Sequence, residues 1–465
     1  MKSRMVLGAF AFLLALPTAY AQTIDKAFLA TVGTGTALDV DRAIAQGVDV
    51  NTWYNGLTPL MFAAMLNKDP DVIPVLVKAG CDVNENRGAD KMTPLMFAAE
   101  QNRNPDVIAA LLRAGAKVNV KDGNHRTALM HAAQNHNPLV ADALLKGGAD
   151  PNSRDSLDIT PIAYALDWGN IKMALLLISS GADVNARNSY GATPLMYAAK
   201  DTSDASVFDA LLRAGADGKA RSDDGSTPLM IGLREKPMKL ETIALLLRAG
   251  SDVNAQDKFG RTALMCAISP NGAFSNSSKV IEALLGAGAD PNARRRTGET
   301  PLLELASRSQ DPETFVVLLR AGADVNVRDR DDQTPLLHAS RWWFRNPEVI
   351  AALLSAGADV KAHDRLGSTA LMILAKSCKP QVISMLVSAG ADVNAHDMSG
   401  NTALMIAAAS NQYPDVVTAL LQAGANAELI DDRGKTAFDY AQGNAKLKGT
   451  DAYRKLEEAA KEDTN

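Results

Sequence analysis

Apolar residues along the chain fall into two alternating kinds of short cluster. One is Ala-rich and opens on Thr-Pro/Ala-Leu/Ile/Phe, as in TPLMFAA from Thr58, TPLMFAA from Thr93 and TALMIAA from Thr402. The other is rich in Val and Leu and runs into Ala-Gly-Ala-Asp-Val-Asn. It reads LLRAGAKVN at 111–119, ISSGADVN at 178–185, LLRAGADVN at 318–326 and LVSAGADVN at 386–394. The threonines stand at 58, 93, 127, 160, 193, 227, 262, 300, 334, 369, 402 and 436, at intervals of 33 to 35 residues with one of 38. A period of this size is the signature of a stacked-repeat architecture. Each unit predicts two short helices. Thr caps the first, and Pro fits its first turn because the missing N–H would be unpaired there. Leu and the paired Ala form its inner face. A second helix buries Val, Leu and Leu, and the Gly that follows ends it in a left-handed conformation. The polar ADVN…D…G stretch predicts a hairpin-like finger reaching the next unit. No unit buries its apolar face alone, so stability comes from stacking.

These residues resemble the ankyrin repeat, G-x-T-P-L-H-x-A-A followed by V-V-x-L-L-L-x-x-G-A-D-V-N, in twelve copies from Thr58 to about Ala441. Residues 24–51 look like a degenerate first copy. The expected fold is an all-α repeat solenoid of about 12–13 stacked repeats, each with helix–turn–helix and finger. The expected organisation is a signal peptide at 1–21, an N-terminal capping repeat at 22–56, the array at 57–435, and a C-terminal capping repeat with charged tail at 436–465. Three departures from the pattern stand out. The His after Thr-Pro-Leu, which in the family bonds neighbouring backbone, is replaced by Met61, Met96, Met130, Met196, Met230, Met265, Met372 and Met405, and by Leu303 and Leu337. Packing is expected to fill that slot. Prolines precede many second helices (Pro70, Pro105, Pro138, Pro347, Pro414), and residues 269–278 are an insertion expected to form a loop.

The N-terminus changes the picture of location. Lys2 and Arg4 precede an apolar run from Met5 to Leu16, then Ala19-Tyr20-Ala21. This is a secretory signal pattern, with cleavage expected after Ala21. Losing Lys2 and Arg4 takes the net charge from −5 to −7. The expected location is periplasmic or secreted, with no membrane span. Cys81, Cys266 and Cys378 lie 185 and 112 residues apart, too far for adjacent repeats to join them, so free thiols are expected despite export.

The acidic balance argues against a nucleic-acid partner. No Walker loop, GxGxxG, GxSxG, HExxH or EF-hand loop is present. Neither an enzymatic activity nor a cofactor is expected. The methionines, one per layer, are too widely spaced to share a metal and read as apolar filler. His125, His131 and His136 fall on the finger, first helix and turn of one repeat, without convergence. Six residues before Thr runs a largely basic ladder: Arg87, Lys121, Arg154, Arg187, Arg221, Gln256, Arg294, Arg328, His363 and His396. Pairing with neighbouring Asp or Asn of the finger is the expectation for it, with partner binding as the alternative. The resemblance implies partner binding on the concave face, made of finger tips and the exposed ends of first helices. Candidate contacts there are Trp53, Tyr54, Trp168, Tyr190, Phe259, Arg261, Arg341, Trp342 and Trp343, since part-exposed aromatics and arginines anchor interfaces. The expected function is a protein-binding scaffold in the bacterial cell envelope, the chain itself a monomer. An exported host-directed effector and a metal-binding or cryptic enzymatic protein are the alternatives.

Overall fold

The structure, a computed structural model, describes residues 26–53, 56–86, 88–202, 204–235, 238–268, 277–308, 311–341 and 346–462. It is an all-α repeat solenoid: paired short helices recur along the chain, with no strand among the described residues. The fingers register as isolated antiparallel bridges, His363 with Thr369 and His396 with Thr402. Two compact units are present. The first runs to Thr202 and includes Arg213–Ala216; the second holds the rest from 204 onward. The apolar run at 5–16, the cleavage site at Ala21 and most of the 269–278 insertion lie outside the described residues.

The first helices, such as Pro59–Leu66, Pro94–Gln101 and Ala403–Ser410, start where Thr takes extended backbone. The Thr hydroxyl accepts from the N–H three residues on, at 3.3 Å from Met61 and from Met96. The return bond differs from expectation. The thioether does more than pack: Sδ of Met61, Met96, Met372 and Met405 accepts the backbone N–H of Thr58, Thr93, Thr369 and Thr402 at 3.4–3.5 Å. Sulfur is a weak acceptor, but this buried N–H is one the helix cannot satisfy itself. The cap is not uniform, however. Thr127, Thr160 and Thr193 make no side-chain cap bond.

Several second helices begin on Asn or Asp before Pro, at Asn104, Asn137, Asp311 and Asn346. Asn104 Oδ1 accepts from Asp106 at 3.0 Å and Asn346 Oδ1 from Glu348 at 2.9 Å. The buried stripes of the second helices (Ile73 and Leu76, Ile108 and Leu111, Ile350 and Leu353) face the Leu rows of the first helices, where Leu60, Leu95, Leu129 and Leu404 are buried. At the C-terminus the helix Asp451–Glu462 covers the last repeat with Ala452 and Leu456.

Two asparagine series fasten neighbouring repeats. A buried Asn after each of several first helices donates both amide hydrogens to carbonyls of the preceding repeat. Asn102 reaches Ala64 at 2.9 Å and Asn67 at 2.7 Å; Asn135 reaches Ala99 at 3.0 Å and Asn102 at 2.7 Å. These carbonyls lie in or end the preceding first helix, where a buried acceptor without a partner is costly. The exposed Asn three residues after the Gly-Ala that ends several of the second helices braces forward. Asn119 donates to Gly148 O at 3.0 Å and accepts from Asp150 N at 2.9 Å. Asn292 does the same with Gly322 and Asp324.

Candidate functional site

Most fingers are organised by an Asp or Asn five before Thr. In the seventh finger Asp257 Oδ1 accepts the N–H of Phe259 and of Arg261, both at 2.9 Å, and Oδ2 takes Arg261 Nε at 2.6 Å. The guanidinium lies 5.1 Å from the Phe259 ring centroid. Arg261 is thus engaged on two sides within its own finger, and it fixes Phe259 outward, 58% exposed. The fifth finger repeats the scheme with Asn188, which accepts from Tyr190 and Ala192 at 2.9 and 2.8 Å. Tyr190 stands 62% exposed. Its neighbour Ser189 donates its N–H to Leu157 O at 2.9 Å, so the tips of the fourth and fifth fingers sit side by side.

Trp53, 64% exposed, borders a groove of about 760 Å³ with Val50, Cys81 and Glu85. It stands three fingers from Leu157 along the stack. Trp168 is less open, at 39%, and closes the helix Pro161–Asp167. Beside it Lys200 Nζ bridges back to Asp167 at 3.1 Å. Arg341 reaches the next finger and pairs with Asp364. Tyr54, Trp342 and Trp343 lie outside the described residues.

The basic ladder departs from expectation. Several of its described rungs turn to backbone carbonyls of the next finger; Arg87 lies outside the described residues. Lys121 Nζ donates to Arg154 O at 2.8 Å and Arg154 Nη1 to Arg187 O at 2.9 Å. In the second unit Arg221 donates to Gln256 O, Gln256 to Arg294 O at 3.4 Å and Arg328 to His363 O at 3.3 Å. The finger carboxylates are already committed to their own turns, which leaves the neighbouring carbonyl as the acceptor in reach. His363 and His396 turn Nδ1 to the carbonyls of Asp364 and Asp397.

Sequence reasoning missed a polar seam four residues after Thr. His131 bonds Asp122 Oδ2 at 3.0 Å, Tyr164 bonds Asp155 at 2.7 Å, His338 bonds Asp329 at 2.8 Å and Tyr440 bonds Asp431 at 2.5 Å. The signal was present, since these polar residues fall nine after the turn Asp or Asn, but helix and finger meet there only once folded. Burial by itself would raise the Asp122 carboxyl. Hydrogen bonds from His131 and from backbone N–H groups, with the Arg126 guanidinium, outweigh it and hold the group at about 2. Burial pushes the Tyr164 hydroxyl well up, with Asp155 adding to it. In the eighth repeat Glu304 takes the seam position, buried and raised by that burial against the opposing pull of Arg295 at 3.4 Å and Arg308 at 3.7 Å.

Among the described residues no group of three or more His, Cys, Asp or Glu converges as a metal site would require, and no helix is long and apolar enough to cross a membrane. Cys81, Cys266 and Cys378 are buried and stand in no disulfide. What the fingers of each unit offer is exposed aromatic and aliphatic side chains at their tips. Leu366, Met398 and Ile430, which a search for aromatics passes over, are as exposed as Tyr190.

Comparison with curated proteins found no match to the chain. The family model for ankyrin repeats in three copies matches in overlapping stretches: 29–122, 104–188, 129–222, 177–257, 195–295, 233–329, 271–364, 343–431 and 371–448. With helix pairs, Thr-initiated first helices and hydrogen-bonded fingers repeating through both units, the chain belongs to the ankyrin-repeat family.

Proposed function

We propose that this protein is a non-catalytic binding scaffold of the bacterial cell envelope that holds a partner protein on its finger tips and first-helix ends. Ankyrin repeats are in general protein-interaction modules. The observation that carries the reading is the presentation of large apolar side chains to solvent on hydrogen-bonded finger turns: Asn188 fixes the backbone under Tyr190, Asp257 that under Phe259, and Arg261 lies over the Phe259 ring. Holding an aromatic ring rigid before contact lowers the entropic cost of binding, which is what an anchor needs. The envelope location rests on the N-terminal pattern of Lys2, Arg4, the apolar run and Ala19-Tyr20-Ala21.

The test is affinity capture from cells expressing the full chain, with the protein compared against a Trp168→Ala, Tyr190→Ala, Phe259→Ala variant. Partners retained at equal yield by the folded variant would refute the anchor assignment. The mass and first residue of the protein from the periplasmic fraction test the location. A mature chain beginning at Gln22 is expected, and an uncleaved cytoplasmic chain would overturn it.

A further inference from the structure

The basic ladder is not absorbed by the aromatic anchors, and on the eighth to tenth fingers it becomes a double row. Arg294 and Arg328 occupy the ladder register; Arg296, Arg330 and Arg365 stand two residues further on. All five are exposed. The rows are braced in opposite directions. Arg328 donates forward to His363 O at 3.3 Å, whereas Arg330 donates back to Arg296 O at 2.7 Å and Arg365 back to Arg330 O. A carbonyl brace fixes a guanidinium without cancelling its charge, and it occupies few of the five N–H donors.

The carboxylates on the same fingers divide into inward-turned and exposed ones. Asp329 and Asp364 turn inward, accept backbone N–H groups of their own turns, and pair with His338 and Arg341. Glu299 takes the Thr297 hydroxyl. Asp331 and Asp332 face Arg365, at 3.1 and 3.9 Å. Among the described residues, Arg294, Arg296, Arg328 and Arg330 have no carboxylate within ion-pair distance. An acidic chain thus carries four exposed guanidinium groups that its own carboxylates do not pair, with Arg365 beside them held against Asp331 and Asp332. Beside them lies a groove of about 420 Å³ where Arg328, His363 and Arg365 meet Asp332 and the exposed Met398. Leu366, also exposed, is tied to this spot by the bond from Met398 N to Leu366 O at 2.9 Å.

We infer that the eighth to eleventh fingers dock an acidic protein segment that carries aliphatic side chains among its carboxylates. Bidentate guanidinium–carboxylate contacts match the fixed arginines, and Leu366 with Met398 matches the aliphatic part. A single-stranded nucleic acid supplies the charge but needs stacking platforms, and these tips carry aliphatic side chains. The inference rests on the binding-scaffold reading. It uses fingers other than those of Trp168, Tyr190 and Phe259, so either can fail alone.

The test uses the full mature chain and a fluorescein-labelled peptide of repeated Glu-Glu-Leu, titrated by anisotropy at low and at physiological salt. Binding is expected, weaker at the higher salt. An otherwise identical peptide with Gln for Glu should not bind. The Arg328→Gln, Arg330→Gln variant should bind roughly tenfold more weakly, the sum of two modest exposed charge contacts. Arg328→Lys, Arg330→Lys keeps the charge and serves as the folding control; it should stay within a few-fold of the unaltered protein. Met398→Ser should weaken Glu-Glu-Leu but leave an all-Glu peptide unaffected. No binding to Glu-Glu-Leu, equal binding by the Gln variant, or equal affinity for an oligothymidylate of the same charge would each overturn the inference.

Discussion

Replacing Asn102 by Ala should separate the first full repeat from the second. Asn102 is buried, and its side chain makes three bonds: to Ala64 O at 2.9 Å, to Asn67 O at 2.7 Å, and from Asn104 N at 2.9 Å. The two donated bonds are buried and the third is part-buried, so at about 1 kcal/mol each the loss is about 2–3 kcal/mol. Asn84 makes a similar two-sided brace, to Gly115 O at 3.1 Å and from Lys117 N at 2.8 Å, but in solvent. Water replaces its bonds, and Asn84→Ala should cost less than about 1 kcal/mol. In a stacked array the loss acts on one interface. Urea unfolding followed by circular dichroism should therefore split for Asn102→Ala, with an early phase from the N-terminal repeats, and stay close to the parent curve for Asn84→Ala. Hydrogen exchange at the Asn104 amide should accelerate in the first variant alone. Equal losses in the two variants would refute the premise that burial sets the value of these braces.

Because Asp122 is held at about 2 in the folded protein, its contribution is present above its unfolded value near 4 and is lost as pH falls from there toward 2. Asp122→Asn should flatten the stability–pH curve across that window, read by thermal melts. Burial raises the Cys81 and Cys266 thiols to about 12. Alkylation by iodoacetamide at neutral pH should be negligible in the native protein and rapid in urea. Gly225 has φ +82, and an added Cβ would lie 3.2 Å from Asp257 Cα, so Gly225→Ala should lower stability by more than about 1 kcal/mol. His125 holds φ 62 at the equivalent finger position, and His125→Gly should leave stability within about 1 kcal/mol of the parent in a denaturant titration.

The register of the fold was legible because Thr, Pro, Leu and Gly answer to local rules: caps, first turns and left-handed ends. The solvent-held tips Trp53, Tyr190 and Phe259 followed from that register. What stayed hidden was the choice of acceptor. Lys121 adjoins Asp122 in sequence, yet Asp122 is taken by His131, Arg126 and two backbone N–H groups, so Lys121 turns to Arg154 O. Sequence distance says which groups are near and not which are already spoken for. The methionine slot shows the same limit. An apolar residue at a buried position reads as filler, and its acceptor role depends on where Sδ points. Leu366, Met398 and Ile430 escaped because aliphatic side chains at a finger look like ordinary variation until their exposure is seen.

Where the family pattern has an imidazole closing each first helix, this chain has a thioether that closes Thr58, Thr93, Thr369 and Thr402. A thioether neither gains nor loses a proton, so these helix caps keep the same chemistry in acid and in base. The exchange is one of vulnerabilities. Oxidation to the sulfoxide would force a polar oxygen into a site with no room for it. Met61, Met96, Met372 and Met405 are almost wholly buried, so an oxidant meets them chiefly when a repeat opens. The array is therefore indifferent to surrounding acidity at these positions, and its sensitivity to oxidants becomes a measure of how often its layers part.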